Sequence, residues 1–323
     1  MEPRPPVLPP ALIVAGPTAS GKSALALTLA QKLGGTIVNA DSMQVYRELR
    51  VLTARPSPED EAVVPHTLYG VRPAAEAGNA AWWRGAAMET MASIHAQGGL
   101  PILTGGTGMY FAALTQGLAD VPDPGEPARL EARKRLADMG SEALHVGLTK
   151  VDPATAARIK PNDSQRIARA WEVWRGTGMG LAAWQNRTLA PAPWRFFALR
   201  LDPPREPLRL AIAQRFEAMR GDGAIEEVRA LLDLNLDPAL PAMRAHGVPE
   251  ISAYLRGTMS LEESGRRTEL VTGQYTKRQA TWFRHHELAV SADTEIIETR
   301  YRGHTQLSES LMKRIFAFIQ RQD

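Results

Sequence analysis

The sequence predicts an α/β fold in which helices cover both faces of a parallel sheet. Apolar runs at residues 11–15, 36–40 and 100–104 predict strands, and residues 23–33 have the apolar spacing of a helix. A glycine-rich loop lies between the first of these strands and that helix. Strands that alternate with helices along a chain are typical of parallel sheets, which must be covered on both faces.

The glycine-rich loop, GPTASGKS at residues 16–23, satisfies the pattern G-x-x-x-x-G-K-[ST] in the strand-to-helix context where that pattern binds phosphates. Glycines such as Gly16 and Gly21 let the backbone curl, so that amides and the helix N-terminus point at phosphate oxygens. Lys22 supplies positive charge, and Ser23 supplies a ligand for Mg²⁺. The loop therefore predicts a P-loop NTPase-like sheet and a bound diphosphate or triphosphate, but not hydrolysis of a nucleotide.

Asp41 follows the strand predicted at residues 36–40. Because the ends of neighbouring parallel strands gather where ligands bind, Asp41 is expected near the loop. Three roles are open at this point: accepting a proton from a nucleophile, contacting Mg²⁺ through water, or capping a helix that begins near Met43. The strand at residues 100–104 continues into GGTG, whereas many P-loop ATPases carry an aspartate there, which argues against an ATPase. This turn either faces a substrate or only joins a strand to a helix.

The pattern changes at residues 122–127, which have the sequence PDPGEP. From there to about Trp194 the spacing is helical, and residues 196–201 then predict a strand that returns to the sheet. We therefore expect a helical insertion within a core whose C-terminal part is mostly helical. The expected bounds are residues 11–124 and 197–323 for the core and 125–196 for the insertion.

Composition excludes several classes of site. The chain has no cysteine, which rules out disulfides and thiolate metal sites, and its seven histidines show no metal-ligand spacing, so a zinc enzyme is not expected. Five prolines and no apolar run occur in residues 1–10, which predicts a disordered lead-in rather than a signal peptide or a transmembrane helix. We expect a cytoplasmic protein with no membrane contact.

Positive charge is concentrated in the predicted insertion. The net charge of the chain is +3, but residues 125–196 hold 12 Lys and Arg against 7 Asp and Glu, a local charge of +5. Such a segment is either a surface that faces a polyanion or an ordinary solvated helical surface.

Two predicted helices divide into an apolar face and a basic face. The first runs from Asp163 or Ser164 to Arg175, with Gly176 as its stop signal. On it, Ile167, Trp171 and Trp174 lie opposite Gln165, Arg166 and Arg169. On the second, residues 274–284, the basic face of Gln274, Lys277, Thr281 and Arg284 lies opposite Val271, Tyr275 and Trp282. Both basic faces fit RNA binding or a solvated surface.

Arg215 lies on the wrong face of its helix for a solvated arginine. In the helix predicted at residues 208–220, Leu208, Ile212 and Met219 form an apolar stripe, and Arg215 falls within it. A core-facing arginine needs an anion, which is either a carboxylate in a structural salt bridge or a ligand phosphate.

With these residues in place, nearly the whole chain after residue 10 resembles the tRNA dimethylallyltransferase family, also called tRNA isopentenyltransferases. The phosphate loop alone is generic, but the ordered set of motifs is specific. The matching segments are GPTASGKS at 16–23, DSMQVYREL at 41–49, TARP at 53–56, PH at 65–66, GGTGMYFAAL at 105–114, RIKPNDSQRIARAWEV at 158–173, QRFEAM at 214–219 and KRQATWFR at 277–284.

The resemblance implies that dimethylallyl diphosphate donates its five-carbon group to N6 of adenosine-37, next to the anticodon of tRNA, with Mg²⁺ present. Asp41 matches the family's general base and Arg215 its diphosphate-binding arginine, so the catalytic set is Asp41, Arg215, Lys22 and Thr107. The expected diphosphate-binding residues are Gly16, Thr18, Ala19, Ser20, Gly21, Lys22, Ser23 and Arg215, with Ser23 on the metal. The expected contacts to the anticodon stem-loop are Asp41, Ser42, Met43, Gln44, Thr107, Arg129, Gln165, Arg166, Ile167, Ala168, Arg169, Arg244, Lys277 and Arg284. We expect a monomer.

Three positions depart from the family pattern. Leu52 stands where a glycine usually precedes the TAKP-like segment, and Arg55 replaces the lysine of that segment. The family's GY-[KR]-E appears as GVPE at residues 247–250, so Arg244 is the basic residue left near that position. Two alternative functions carry over from the residues themselves: a P-loop kinase of a small metabolite, and a nucleotide-gated RNA-binding protein. The basic insertion argues against the first, and the missing aspartate after the strand at 100–104 argues against the second.

Overall fold

Six parallel strands form one sheet in the computed structural model, which describes residues 8–187, 190–303 and 306–321. Their order across the sheet is β3-β2-β4-β1-β5-β6, and every neighbouring pair within the described residues is parallel. This arrangement confirms the predicted α/β class. The strands are β1 Pro10–Ala15, β2 Gly35–Asn39, β3 His66–Thr67, β4 Leu100–Gly105, β5 Arg195–Leu201 and β6 Thr294–Ile297.

Helices cover both faces of this sheet. Along β1, Ala11, Ile13 and Ala15 belong to one apolar core and Leu12 and Val14 to another, because successive side chains of a strand point to opposite faces. All five are fully buried, as expected of a central parallel strand. The helices are α1 Lys22–Leu33, α2 Pro58–Val63, α3 Ala80–Ala96, α4 Gly108–Thr115, α5 Glu126–Val151, α6 Pro153–Ala156, α7 Ser164–Thr177, α8 Leu181–Gln185, α9 Arg205–Gly221, α10 Ala224–Asp233, α11 Val248–Leu255, α12 Leu261–His285 and α13 Glu309–Gln320.

Residues 116–191 form a compact unit of their own, separate from the unit that holds the sheet. Helices α5 to α8 make up this smaller unit, and α5 and α7 pack around Leu144, Leu148, Ile167 and Trp171. With these bounds the count is 11 Lys and Arg against 9 Asp and Glu, a charge of +2. The larger value for residues 125–196 arose because that range left out Asp120 and Asp123 and took in Arg195.

Several local predictions differ from the structure. No helix begins near Met43, where the chain makes turns instead. Gly176 lies inside α7, and the helix ends against Gly178, whose φ of 72° is left-handed. Gly176 is required by packing, since a Cβ there would lie 2.1 Å from the carbonyl oxygen of Pro124. Strands β3 and β6 were not predicted, because two and four residues are too short for a recognisable pattern.

The predicted lead-in at residues 1–10 falls mostly on residues 1–7, which lie outside the described residues, and Pro10 already belongs to β1. Within the part of the chain that the structure describes, no helix combines the length and hydropathy needed to cross a membrane.

Candidate active site

The phosphate loop connects β1 to α1, which is the context that the sequence predicted. Gly21 has a φ of 92°, and a Cβ at this position would lie 2.0 Å from the carbonyl oxygen of Tyr301, so only glycine fits. The first amide bonded within α1 is that of Leu25, which donates to the carbonyl oxygen of Gly21. The amides of Lys22 and Ser23 therefore remain available at the helix N-terminus, where the helix dipole also favours an anion.

Lys22, Asp41 and Arg215 line one cavity of about 800 Å³. Burial lowers the pKa of Lys22 to about 8, although the Asp41 carboxylate opposes this effect and Arg215 adds to it. Burial also lowers the pKa of Arg215, and Asp41 again opposes the shift. Two cations and one carboxylate thus share a poorly solvated space. The predicted helix Leu208–Arg220 is confirmed as part of α9, with Leu208, Ile212 and Met219 buried beside Arg215.

Asp41 is held by its own neighbours at the end of β2. Its amide donates to Oδ1 of Asn39 at 2.8 Å, and Nδ2 of Asn39 donates to its carbonyl oxygen at 3.0 Å. Oδ1 of Asp41 accepts from the amide of Met43 at 2.9 Å, which closes a turn rather than capping a helix. The helix-capping alternative for Asp41 is therefore wrong.

Thr107 connects the turn after β4 to the segment after β2. Its Oγ1 accepts from the amide of Ser42 at 2.9 Å and donates to Oγ of Ser42 at 3.2 Å. Burial raises the pKa of Tyr275 on α12 to about 12, although nearby Thr107 lowers it, so this phenol stays protonated. Thr107 and Ser42 thus form a polar rim next to Asp41.

Gln44 and Arg215 both bind the TARP segment. Nε2 of Gln44 donates to the carbonyl oxygens of Thr53 at 2.9 Å and Ala54 at 2.8 Å, and Nη2 of Arg215 donates to that of Thr53 at 3.3 Å. Glu227 on α10 anchors the residues just before, accepting three backbone amides at 2.6 to 2.9 Å from Arg50, Val51 and Leu52. Helices α9 and α10 and the turn after β2 therefore all bind this part of the cavity wall.

Leu52 and Arg55, the two departures in this segment, both pack on glycines. A Cβ added to Gly247 would lie 2.8 Å from Cδ2 of Leu52. A Cβ added to Gly70 would lie 2.3 Å from the Arg55 guanidinium. Arg55 Nη1 also donates to the carbonyl oxygen of Arg47 at 3.3 Å. Both substitutions are accommodated because the facing residue has no side chain.

Gln279 on α12 was not predicted as a site residue. Its Oε1 accepts from both the amide and the hydroxyl of Thr18, at 2.8 and 3.0 Å, and its Nε2 donates to the carbonyl oxygen of Gly106 at 2.9 Å. Thr18 is therefore bonded to Gln279 rather than presenting its amide to a ligand. The sequence did contain a signal, since Gln279 lies three residues after Thr276 and four before Phe283 on the buried stripe of α12.

The structure also places Glu227, His246 and Arg300 at the cavity wall or behind it, and none of them was predicted. His246 directly precedes the segment that departs from GY-[KR]-E, and its ring contacts Tyr275 edge-on at 4.9 Å between centroids. Burial lowers the pKa of His246, with Glu250 opposing that shift.

The predicted basic face of α7 is exposed, and its apolar face is buried, as expected. Gln165, Arg166 and Arg169 are exposed, and Ala168 is half-buried. Ile167 is wholly buried in the core of the smaller unit, which argues against a contact between its side chain and RNA. Arg166 pairs with Asp163 at 3.5 Å and Arg169 with Glu172 at 3.2 Å.

The remaining predicted RNA contacts differ in how far they are already paired. Arg129 binds Asp123 at 2.6 Å, and Arg284 binds Asp202 at 2.8 Å in a bidentate pair. Lys277 and Arg244 are exposed, and neither forms an ion pair with a described residue. Ion pairs at an exposed surface are weak, so paired arginines remain able to exchange a carboxylate for a phosphate.

Comparisons with known proteins agree on one family. The family model "IPP transferase" matches residues 44–286, and the model "Isopentenyl transferase" matches residues 10–65. The tRNA dimethylallyltransferase of Granulibacter bethesdensis is 60% identical over 96% of this chain and 97% of its own length, and that of Gluconobacter oxydans is 58% identical over 96% and 93%.

Solved structures give the same result. The tRNA isopentenylpyrophosphate transferase of Bacillus halodurans is 31% identical, with a TM-score of 0.65 over 95% of each chain. A eukaryotic dimethylallyltransferase solved while acting on tRNA is 26% identical, with a TM-score of 0.72 over 85% of this chain and 70% of its own. The present chain therefore belongs to the IPP transferase family.

Proposed function

We infer that this protein is a tRNA dimethylallyltransferase, which moves the dimethylallyl group from dimethylallyl diphosphate to N6 of adenosine-37 and releases diphosphate. The observation that carries this proposal is the single cavity in which the phosphate loop, Arg215 and Asp41 meet. The names of its relatives at 58 and 60% identity support the same substrates.

The donor half of the reaction requires a good leaving group, because an exocyclic adenine amine is a poor nucleophile. Lys22, Arg215 and the amides at the start of α1 stabilise the negative charge that grows on diphosphate as the allylic C–O bond breaks. Their burial strengthens this effect, since water does not screen them. Ile212, Phe216 and Met219 line the same cavity and suit a five-carbon apolar group.

The acceptor half requires a proton acceptor. As the N6–C bond forms, N6 becomes cationic and gives a proton to the Asp41 carboxylate, while the electron pair of the broken C–O bond leaves with diphosphate. Thr107 and Ser42 orient the base beside Asp41. The adenosine must leave its stack to reach this carboxylate, as in other enzymes that act on a base. A closed cavity also protects the electron-poor allyl carbon from water.

Mg²⁺ suits the donor set at the loop. Within the described residues no cluster of three His, Cys, Asp or Glu side chains could hold a metal ion, so the protein alone does not form a cage. Ser23 supplies a hydroxyl at the first turn of α1, and Asp41 can act through water. Mg²⁺ commonly takes one or two protein ligands together with substrate phosphates and waters. When bound, it would neutralise charge on the leaving diphosphate.

The tRNA is held by the exposed polar and basic residues Gln165, Arg166 and Arg169 of α7, with Arg129, Arg244, Lys277 and Arg284 as further phosphate contacts. These side chains bind the backbone of the anticodon stem-loop, which positions the substrate without reading its sequence. We propose that the reaction takes place in the cytoplasm and that the protein acts as a monomer.

The test is a product analysis with purified protein and unmodified tRNA. The protein is incubated with dimethylallyl diphosphate or with ATP, with and without tRNA, and the tRNA is digested and weighed by mass spectrometry. A gain of one C5H8 unit on adenosine-37, dependent on dimethylallyl diphosphate, supports the proposal. Consumption of ATP without prenylated tRNA would favour the kinase, and no chemistry with either donor would favour an RNA-binding protein.

A further inference from the structure

The segment after β6 lies along the centre of the phosphate loop. Nε of Arg300 donates to the carbonyl oxygen of Ala19 at 2.9 Å, and the amide of Tyr301 donates to that of Ser20 at 3.0 Å. The carbonyl oxygen of Tyr301 is so close to Gly21 that no side chain fits there. Contacts to three consecutive loop residues therefore fix the position of Arg300.

Arg300 also lines the cavity that contains Lys22 and Ser23. Its guanidinium is half-buried, and one of its five N–H groups is used by Ala19. Among the described residues, no carboxylate pairs with this guanidinium, and no second hydrogen-bond acceptor binds it. A half-buried cation without an anion is costly, so such a side chain is expected to meet a charged ligand.

The other arginines of the cavity wall bind parts of the protein outside the phosphate loop. Arg50 pairs with Glu61 at 3.2 Å, Arg55 donates to the carbonyl oxygen of Arg47 at 3.3 Å, and Arg215 donates to that of Thr53 at 3.3 Å. Of these four arginines, only Arg300 bonds the phosphate loop within the described residues. The bond from Arg300 to Ala19 also supports the conformation of the loop. Ala19 has a φ of 66°, which a residue other than glycine adopts at a cost unless its surroundings hold it.

We propose that Arg300 is a third cationic ligand of the diphosphate, beside Lys22 and Arg215. One edge of its guanidinium holds the Ala19 carbonyl, and the Nη groups bind phosphate oxygens of the donor. This assignment rests on the proposed function for the identity of the donor, but it requires only that the loop bind a diphosphate. Arg300 then does what a lysine cannot do as well, because a planar guanidinium can bind the loop and an anion at once.

The test measures binding of inorganic pyrophosphate, with Mg²⁺ present, to the whole protein by isothermal titration calorimetry. Arg300→Ala should weaken this affinity about 10- to 100-fold, as expected when a charge-assisted hydrogen bond is removed. Arg300→Lys and Arg300→Gln separate the two roles, since both can donate to Ala19 but only lysine keeps the charge. We expect the lysine variant to have an intermediate affinity, because it keeps the charge but cannot bind Ala19 and the anion as well as arginine, and the glutamine variant to lose most of the affinity.

Arg209→Ala is the matched control, because Arg209 is exposed and pairs with Glu206 at 3.1 Å on the same helix as Arg215. Its pyrophosphate affinity should equal that of the wild type, and circular dichroism should show that every variant is folded. Equal affinities of the glutamine and lysine variants, or an alanine variant within about twofold of the wild type, would overturn the proposal.

The outcome is separable from that of the proposed function. If the wild type prenylates tRNA but Arg300→Ala binds pyrophosphate normally, only the assignment of Arg300 fails. If pyrophosphate binding needs Arg300 but no tRNA is prenylated, only the function fails.

Discussion

Lys22 destabilises the folded protein when no ligand is bound, and replacing it should show this. Its pKa falls from 10.5 to about 8 because burial penalises the ammonium form more than Asp41 stabilises it. At about 1.4 kcal/mol for each pKa unit, the cost to folding at pH 7 is at most about 3.5 kcal/mol. Lys22→Met keeps the length of the side chain and removes the charge. This variant should therefore unfold at higher urea concentration than the wild type at pH 7, while it loses prenyl transfer.

The pH dependence separates this effect from ordinary packing. Below pH 8, Lys22 is protonated in both states and the folded state bears the full cost. Between about 8 and 10.5 the folded state has released the proton and the unfolded state has not, so the free energy of unfolding of the wild type rises with pH. The advantage of Lys22→Met should shrink over this range, whereas any gain from the methionine side chain itself is independent of pH.

The assay is urea unfolding at several pH values from 7 to 10, with each variant compared with the wild type in the same buffer. Lys32→Met is the control, because Lys32 is exposed in the last turn of the same helix. It should show no such pH-dependent advantage. An Lys22→Met protein that is less stable than the wild type at pH 7, or an advantage that is the same at pH 7 and 10, would refute the reasoning.

Three further predictions concern catalysis and RNA binding. Asp41→Asn keeps the shape of the side chain but removes the proton acceptor, so single-turnover transfer should slow roughly a hundredfold or more with little change in tRNA affinity. Equal rates of transfer in the variant and the wild type would mean that Asp41 has only a structural role. Replacing both Arg166 and Arg169 with alanine should weaken tRNA binding and lower, by up to about two, the slope of log affinity against log salt concentration, with turnover recovering at saturating tRNA. Unchanged affinity and slope in the folded variant would mean that this face is only solvated. Gln279→Leu leaves the Thr18 amide without its acceptor, so we expect kcat to fall at least tenfold in a folded protein. Glu262→Gln, exposed in the first turn of α12, should behave like the wild type, and equal kcat values of the two variants would contradict a positioning role for Gln279.

The parts of the site that the sequence predicted are those encoded locally. The phosphate loop, Asp41 at a strand end and Arg215 on an apolar stripe each follow from a pattern within about ten residues. The bonds from Gln279 to Thr18 and from Arg300 to Ala19 span 261 and 281 residues, so they depend on how distant loops meet. Periodicity places a side chain on a face of its own helix, but it does not show which loop that face meets.

The net charge of the insertion depends on where its bounds are set. A sum over a range depends on the bounds, and moving them to residues 116–191 lowers it from +5 to +2. The local pairs were visible in the sequence, since Asp163 and Arg166, like Arg169 and Glu172, are three residues apart on a helix. These pairs partly neutralise the exposed basic face of α7.

The cations of the cavity and those on the surface of α7 should respond differently to ionic strength, because they differ in exposure to solvent. Lys22 and Arg215 are poorly solvated in the cavity, so salt screens them little and their charges affect folding as well as binding. Arg166 and Arg169 are exposed and paired with nearby carboxylates, so their removal costs little stability, and their attraction to RNA falls steeply with salt. Raising the ionic strength should therefore weaken tRNA binding long before it weakens pyrophosphate binding. A donor affinity that fell with salt as steeply as the tRNA affinity would mean that the phosphate cavity is open to solvent.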